Sequence, residues 1–484
     1  MRDPSPNRAL CSIGPVATKI KGQKIQTERT KALPVFYRNL EEALDTKRAS
    51  HNFYTVAQNN WQTNAAVDLC SGDILGLGAS SARRDEFTAE LARNPEFRTG
   101  SSGVRLMDGD YTYLEQAELQ LAAFHGAEAG LIVGSAYEAN VAVWTSLVRP
   151  GDVVVYDSLV HASTHEGMKQ SLAMQRVEFA HNDVKDFRDT LLTILDTYPL
   201  IKQGKRSVLV ALESIYSMDG DVCPLLELVE AANDVFHEEG NIQFVVDEAH
   251  SVGVIGPKGA GLVCELGLEK EIAIVVHSFG KAIGATGAII LGNKTIRDTL
   301  VNFAKSVIYT TSPSFPFVAA IKTGYALLET GELLQARERI QEHAALFFEL
   351  LTSHSLWPAA EKAGILLVPL SRDWEERPFL THIIIVTTRQ TYIWWLYFHL
   401  LSSGFCVFPI DYSLVPIGEA RLRVILHATN TQEQIRSFVD AIFAWVHEMM
   451  EIESGTAVQK VSKAAREVYA WMAQEQLTGF GMKS

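Results

Sequence analysis

The chain has 484 residues, 47% of them hydrophobic and 21% charged, a balance that excludes bulk disorder and leaves room for two large domains or three of about 150 residues. Forty-three Lys and Arg against 57 Asp and Glu give a formal net charge of −14, which disfavours a nonspecific grip on nucleic-acid phosphates. Five cysteines, Cys11, Cys70, Cys223, Cys264 and Cys406, are odd in number, widely spaced and without a Cys-x-x-Cys pair, so neither a disulfide framework nor a zinc site is signalled and a reducing, cytoplasmic setting is expected.

Residues 1–65 are polar, rich in Lys, Gln, Asn and Thr, with a short helix expected at 35–44; they read as an extended arm suited to packing on a partner subunit. The opening residues lack the apolar stretch of a secretory signal, while their basic character up to Lys31 leaves a transit segment open. From about residue 68 to 309, β-rich runs alternate with helical periodicity: LIVG (131–134), VVVYD (153–157), VLVALES (208–214), FVVDEAHS (244–251), IAIVVHS (272–278) and AIILG (288–292). Nearly continuous apolar strands separated by helices predict a mainly parallel sheet covered on both faces. Tyr137, Val141, Trp144 and Val148 recur at helical spacing, as do Leu225, Val229, Ala232 and Phe236, and are expected to be core stripes.

A long helix is expected over 317–351, then a second αβ pattern: IIIVTT (383–388), an aromatic helix near 392–402, CVFP (406–409) and ARLRVILHA (420–428). The longest suggestive apolar run, 392–401, is too short to span a bilayer. The stretch 451–484 is expected to be partly helical with a frayed end. The domain expectation is an arm at 1–65, a large domain at 66–330, a small C-terminal domain at 331–450 and a tail at 451–484.

Asp247-Glu248-Ala249-His250 closes a buried strand and resembles a helicase acidic box, which would need a Gly-x-x-x-x-Gly-Lys-Ser/Thr loop. The Gly-Lys pairs, Gly204-Lys205 and Gly280-Lys281, are followed by Arg206 and Ala282, so no such loop exists. Gly76-Leu77-Gly78 lacks the third glycine of a dinucleotide fingerprint. With no His-Glu-x-x-His, no metal site is expected. What remains is an Asp at one strand end and a Lys just after the next strand, in HSFGKAIGATGA. In open parallel sheets ligands sit beyond the carboxyl ends of strands, where Asp247, His250, Ser278 and Lys281 would converge. Pyridoxal phosphate requires this set: a Lys for its Schiff base, an Asp to keep its ring nitrogen protonated and donors for its phosphate.

The segments LGLGAS, GSSGVRLMDGD, LEQAELQLAAFHGAEAGLI, SAYEAN, DSLVHAS, FAHNDV, ESIYSMDGD, VVDEAHSVGVIGPKGAG, SFGKAIG, IYTTS and PIGEARLRV together resemble the α-oxoamine synthases over about residues 66–430. That family includes 8-amino-7-oxononanoate synthase, glycine C-acetyltransferase, 5-aminolevulinate synthase and serine palmitoyltransferase. The resemblance implies an α/β fold of pyridoxal phosphate fold type I, with a mainly parallel seven-stranded sheet in the large domain and a smaller C-terminal αβ domain. It implies pyridoxal 5'-phosphate as cofactor, a homodimer with shared active sites, and decarboxylative condensation of a small α-amino acid with an acyl thioester carried by coenzyme A or an acyl carrier protein.

By the same resemblance Lys281 is the Schiff-base lysine, Asp247 pairs with the ring nitrogen and His161 stacks over the ring. Ser217 and His250 lie near the phenolic oxygen, while Ser278 and the backbone of Ala136 and Tyr137 contact the phosphate. Thr311 reaches the phosphate across the dimer interface, and Arg423 binds the substrate carboxylate. Two departures concern specificity. The family's carboxylate-holding Asn is replaced in the stretch Gly72-Asp73-Ile74, and Asp411 stands where the oxononanoate synthases carry an Arg. An aminotransferase would use the same Lys and Asp; a non-catalytic partner subunit would be expected to lack Lys281.

Overall fold

A computed structural model describes residues 14–25, 33–56, 66–236, 240–389, 392–411 and 415–482. Cys11 and much of the basic N-terminal stretch lie outside them. The chain forms two compact units, Gly72–Arg339 and the combination of Met1–Ser71 with Ile340–Ser484.

The unit Gly72–Arg339 is built on a seven-stranded sheet. Its strands are β1 (Ala129–Val133), β2 (Val153–Asp157), β3 (Gln175–Phe179), β4 (Val208–Glu213), β5 (Ile242–Asp247), β6 (Ile272–Ser278) and β7 (Ala288–Gly292), in the order β1-β7-β6-β5-β4-β2-β3. The pairs from β3 through β6 are parallel, whereas β7 runs antiparallel to β6 and β1. Every residue of β1 and β4 is buried, as continuous apolar runs covered on two faces require. Strand β3 carries no such run: Gln175, Arg176 and Glu178 are exposed and Phe179 is its one buried residue, a polar edge that the apolar-run criterion passes over.

Helix α1 (Ala136–Leu147) packs Ala139, Ala142, Val143 and Trp144 onto Leu131, Val133, Val245 and Val276. Tyr137 does not join that stripe, because it sits in the first turn and is 51% exposed. The helix expected over 317–351 is two, Phe315–Glu329 and Leu334–Ser353. Gly331 separates them at φ +81°, a backbone state that helices cannot continue through.

The loop from β6 to β7 holds Lys281. It is closed by Phe279 N–H to Gly287 O at 2.9 Å, Gly284 N–H to Lys281 O at 2.8 Å and Ala285 N–H to Phe279 O at 2.8 Å. Gly284 has φ +60°, and a Cβ there would lie 2.9 Å from Leu77 Cβ, so this tight loop needs glycine for both conformation and space.

The other unit contains a three-stranded antiparallel sheet ordered β9-β10-β8, from β8 (Ile383–Thr387), β9 (Phe408–Ile410) and β10 (Arg421–Ile425). The CVFP run divides: Phe405–Cys406 pairs in parallel with Val67–Asp68, and Phe408–Ile410 joins the sheet. The aromatic helix Ile393–Ser402 buries eight of its residues in this unit's core. The described N-terminal residues do not form one extended arm. They form helices Gly14–Gly22 and Val35–Ala49, and Ile20 is fully buried in the same core. Nor is the C-terminal end frayed through the described residues, since Leu477 and Phe480 are buried and Tyr469 Oη donates to Phe480 O at 2.8 Å. Among the described residues no helix is long and apolar enough to cross a membrane.

Candidate active site

Asp247 ends β5 and is 8% exposed. Its Oδ1 accepts from Ala249 N–H at 2.9 Å and its Oδ2 from Asn140 Nδ2 at 2.7 Å. Asn140, buried on α1, spends its second amide donor on Ser163 Oγ at 2.9 Å. Ser163 Oγ lies 2.7 Å from His161 Nδ1. Nδ1 accepts from Ser163 N–H at 3.2 Å, so it carries no proton and the Ser163 hydroxyl donates to it. His161 Nδ1 is therefore an acceptor and the ring carries its proton on Nε2. Burial lowers the His161 pKa, with Asp247 opposing and Lys281 reinforcing the shift, so the imidazole stays neutral in the neutral range.

Glu213, the last residue of β4, is the register partner of Asp247. The residue is 4% exposed, with its carboxyl Oε1 buried and unpaired. Burial, then the adjacent Asp247 charge, holds it well above the usual carboxylate range, against the pull of Lys281. Both His161 and Glu213 thus sense Asp247 and Lys281 together, and these four groups converge at the carboxyl ends of β4 to β6. Gly72 belongs here too: a Cβ at that position would lie 3.7 Å from Lys281 Cγ and 3.7 Å from Gly280 O. Asn140, Ser163 and Glu213 were not singled out as site residues from the sequence. The available signal was a polar residue at a buried helical position, Asn140 within SAYEAN, and an acid closing an otherwise apolar strand.

The remaining expected residues take varied positions. Ser278 ends β6, buried, with Gly280 N–H 3.4 Å from its Oγ. His250 is buried three residues beyond Asp247, and Ser217 is half-buried in the turn after β4. Ala136 and Tyr137 open α1, where first-turn amides have no intrahelical acceptor. Ser135 caps that helix by accepting from Glu138 N–H at 3.1 Å, and the Glu138 carboxylate accepts from Gly134 N–H at 3.0 Å. Thr311 is exposed and its backbone bridges to Val104 in the GSSGVR loop, not to the Asp247 cluster. In the other unit Arg423 lies half-buried at the centre of β10, opposite Phe408 and Ile385. Asp411 accepts from Trp394 Nε1 at 3.2 Å.

The FAHNDV and SMDGD segments form a second polar cluster. His181 Nδ1 lies 2.8 Å from Asp157 Oδ1 and its Nε2 2.7 Å from Asp221 Oδ2. Two carboxylates on the two ring nitrogens favour the imidazolium. Burial opposes the charge, but the bonds to Asp157 and Asp221 prevail and raise the His181 pKa to about 10. Asn182, at φ +53°, donates its N–H to Asp157 Oδ2 at 2.8 Å and its Nδ2 to Asp221 at 2.8 Å. These motif residues tie together the loops after β2, β3 and β4.

The family model for class I and II aminotransferases matches residues 65–442. The chain is 48% identical over 454 residues to aminoacyl transferase sphA of Aspergillus fumigatus, covering 94% of this chain and 96% of that relative. It is 40% identical over 387 residues to 8-amino-7-oxononanoate synthase of Emericella nidulans, covering 80% and 90%. Among solved structures it resembles a serine palmitoyltransferase from S. paucimobilis with a bound pyridoxal phosphate–myriocin aldimine, at TM-score 0.66 and 26% identity over 80% of this chain and 88% of that one. An 8-amino-7-oxononanoate synthase from Francisella tularensis, at TM-score 0.61 and 23% identity over 80% and 99%, shares the fold.

Proposed function

The chain belongs to the α-oxoamine synthase family of pyridoxal phosphate enzymes, which condense an α-amino acid with an acyl thioester and release carbon dioxide and a free thiol, and from that premise we propose that Lys281, Asp247, His161 and Arg423 carry the reaction. The observation that carries this reading is the carboxylate of Asp247, held by Asn140 and Ala249 beside a neutral His161. When bound, pyridoxal phosphate supplies an electron sink for charge developing at the amino acid Cα.

The donor set suits that cofactor. Asp247, with each oxygen already fixed by one bond, is oriented to hold a proton on a ring nitrogen. His161 presents a neutral aromatic face that would stack on the ring without adding charge. Ala136 and Tyr137 offer helix-terminal amides to a phosphate. Lys281 would hold the cofactor and, when freed, would move the proton at Cα. Glu213 lies beside Asp247, and burial with that neighbouring charge pushes its carboxyl well above the usual carboxylate range. Arg423 binds the substrate carboxylate, and Gly72 leaves beside Lys281 the space that an Asn side chain would fill.

The active unit is a homodimer in which Thr311 reaches the partner's phosphate site. The exposure of Met107 (84%) and Tyr309 (79%), on the two loops joined by the Val104–Thr311 bridge, supports this reading. The thioester is carried by coenzyme A or an acyl carrier protein, and the setting is cytoplasmic. The test supplies the enzyme with an α-amino acid and an acyl-coenzyme A and follows carbon dioxide and free thiol. One of each per turnover is expected; keto-acid formation without either would mark an aminotransferase.

A further inference from the structure

Cys70 and Cys406 are 336 positions apart in the chain, yet their Sγ atoms lie 3.3 Å from each other. The contact is built by the backbone around it. Asp68 is the register partner of Cys406 in the parallel pair Val67–Asp68 and Phe405–Cys406, and Leu69 N–H donates to Cys406 O at 3.0 Å. Asp68 Oδ1 then accepts from Cys70 N–H at 3.0 Å and Ser71 N–H at 2.9 Å. That turn fixes Cys70 against the end of the partner strand. Cys406 is 7% exposed, whereas Cys70 is partly exposed.

We propose that Cys70 and Cys406 form a disulfide site, oxidised by a low-molecular-weight disulfide of the glutathione class. The sulfurs need only close from 3.3 Å to a bond of about 2.05 Å. Cys70, the accessible member, attacks one sulfur of the oxidant as a thiolate and releases the first small thiol. Cys406 then attacks Cys70 Sγ and releases the second. Two protons and two electrons leave the protein thiols, and the oxidant's sulfur–sulfur bond is reduced to two thiols. The hydrogen bond to Cys406 and burial raise the Cys70 pKa, so oxidation is slow at neutral pH and quickens as the solution becomes alkaline. The cross-link ties the segment that leads into Gly72 to the Phe405–Cys406 strand.

The test incubates the full-length holoenzyme with oxidised glutathione at mildly alkaline pH, alkylates the remaining thiols and maps peptides without reduction. The expected result is a Cys70–Cys406 cross-linked peptide pair lighter by two hydrogens, reversed by dithiothreitol and absent from Cys406→Ser. The thermal midpoint of the wild type should shift upward on oxidation, because a cross-link closing so long a loop restricts the unfolded chain. Where Cys406→Ser does not fold, Cys70→Ser, changed at the partly exposed position, takes its place. The proposal is overturned if both cysteines remain alkylated after oxidation, or if Cys70 ends as a stable glutathione adduct unlinked to Cys406. Neither readout requires turnover, so failure of the proposed reaction and failure of this site are told apart.

Discussion

Asn140 Nδ2 lies 2.7 Å from Asp247 Oδ2, so a helix residue fixes the carboxylate at the end of a strand 107 positions away in the chain. The same amide donates to Ser163 Oγ, which in turn hydrogen-bonds His161. Asn140→Leu removes both donors and leaves a buried acceptor short of a partner, a penalty of about 1–3 kcal/mol. Cofactor affinity, read by titrating the apoenzyme and following the cofactor absorbance, should fall roughly tenfold to a hundredfold. Unchanged affinity would show that Asp247 is oriented without Asn140.

His181 gives a pH signature separate from catalysis. Its folded-state pKa of about 10 lies above its ordinary value of 6.5, so the folded protein binds this proton more tightly than the unfolded chain does. The stabilisation is fully present below pH 6.5 and is lost as the pH rises through about 10. Denaturant midpoints of wild type and His181→Gln should differ most at the acid end of this window and converge towards its alkaline end. A constant difference across the window would contradict the imidazolium.

At Gly72 a new side chain starts in ordinary contact with Lys281 Cγ, at 3.7 Å, and meets no closer atom at its Cβ. Gly72→Asn should therefore fold normally. It should shift selectivity towards smaller amino acids by about tenfold or more in kcat/KM, the scale on which a pocket discriminates one methylene. Kinetics with glycine and with a bulkier amino acid check this; equal effects on both would remove Gly72 from specificity.

Arg423→Ala should raise the amino acid KM by roughly tenfold to a hundredfold, as expected for losing a charged hydrogen-bonding partner of the carboxylate. The KM for the acyl thioester should change little. Parallel loss for both substrates would point to disruption of β10 rather than to carboxylate binding.

The parts of this protein legible in its sequence were those that local pattern determines. Continuous apolar runs marked β1, β2 and β4 to β7, and the strand-end placement of Asp247 and Lys281 pointed to the site. The polar β3 has one buried residue and gave no such run. Asn140 and Ser163 act through contacts between separate elements, and Glu213 acquires its character only from burial beside Asp247. The Cys70–Cys406 contact joins segments whose spacing resembles no motif. Ile20 and Phe480 lie in short stretches without strand or helix-stripe periodicity, and only the folded core reveals what they cover.

On the reading proposed above, Lys281 would hold the cofactor by its Schiff base with Asp247 at the ring nitrogen. Reduction of the holoenzyme with borohydride, followed by peptide mapping, tests it most directly. One cofactor-derived adduct is expected, on Lys281, and none in Lys281→Ala. An adduct on another lysine, or a reducible adduct surviving in Lys281→Ala, would contradict it.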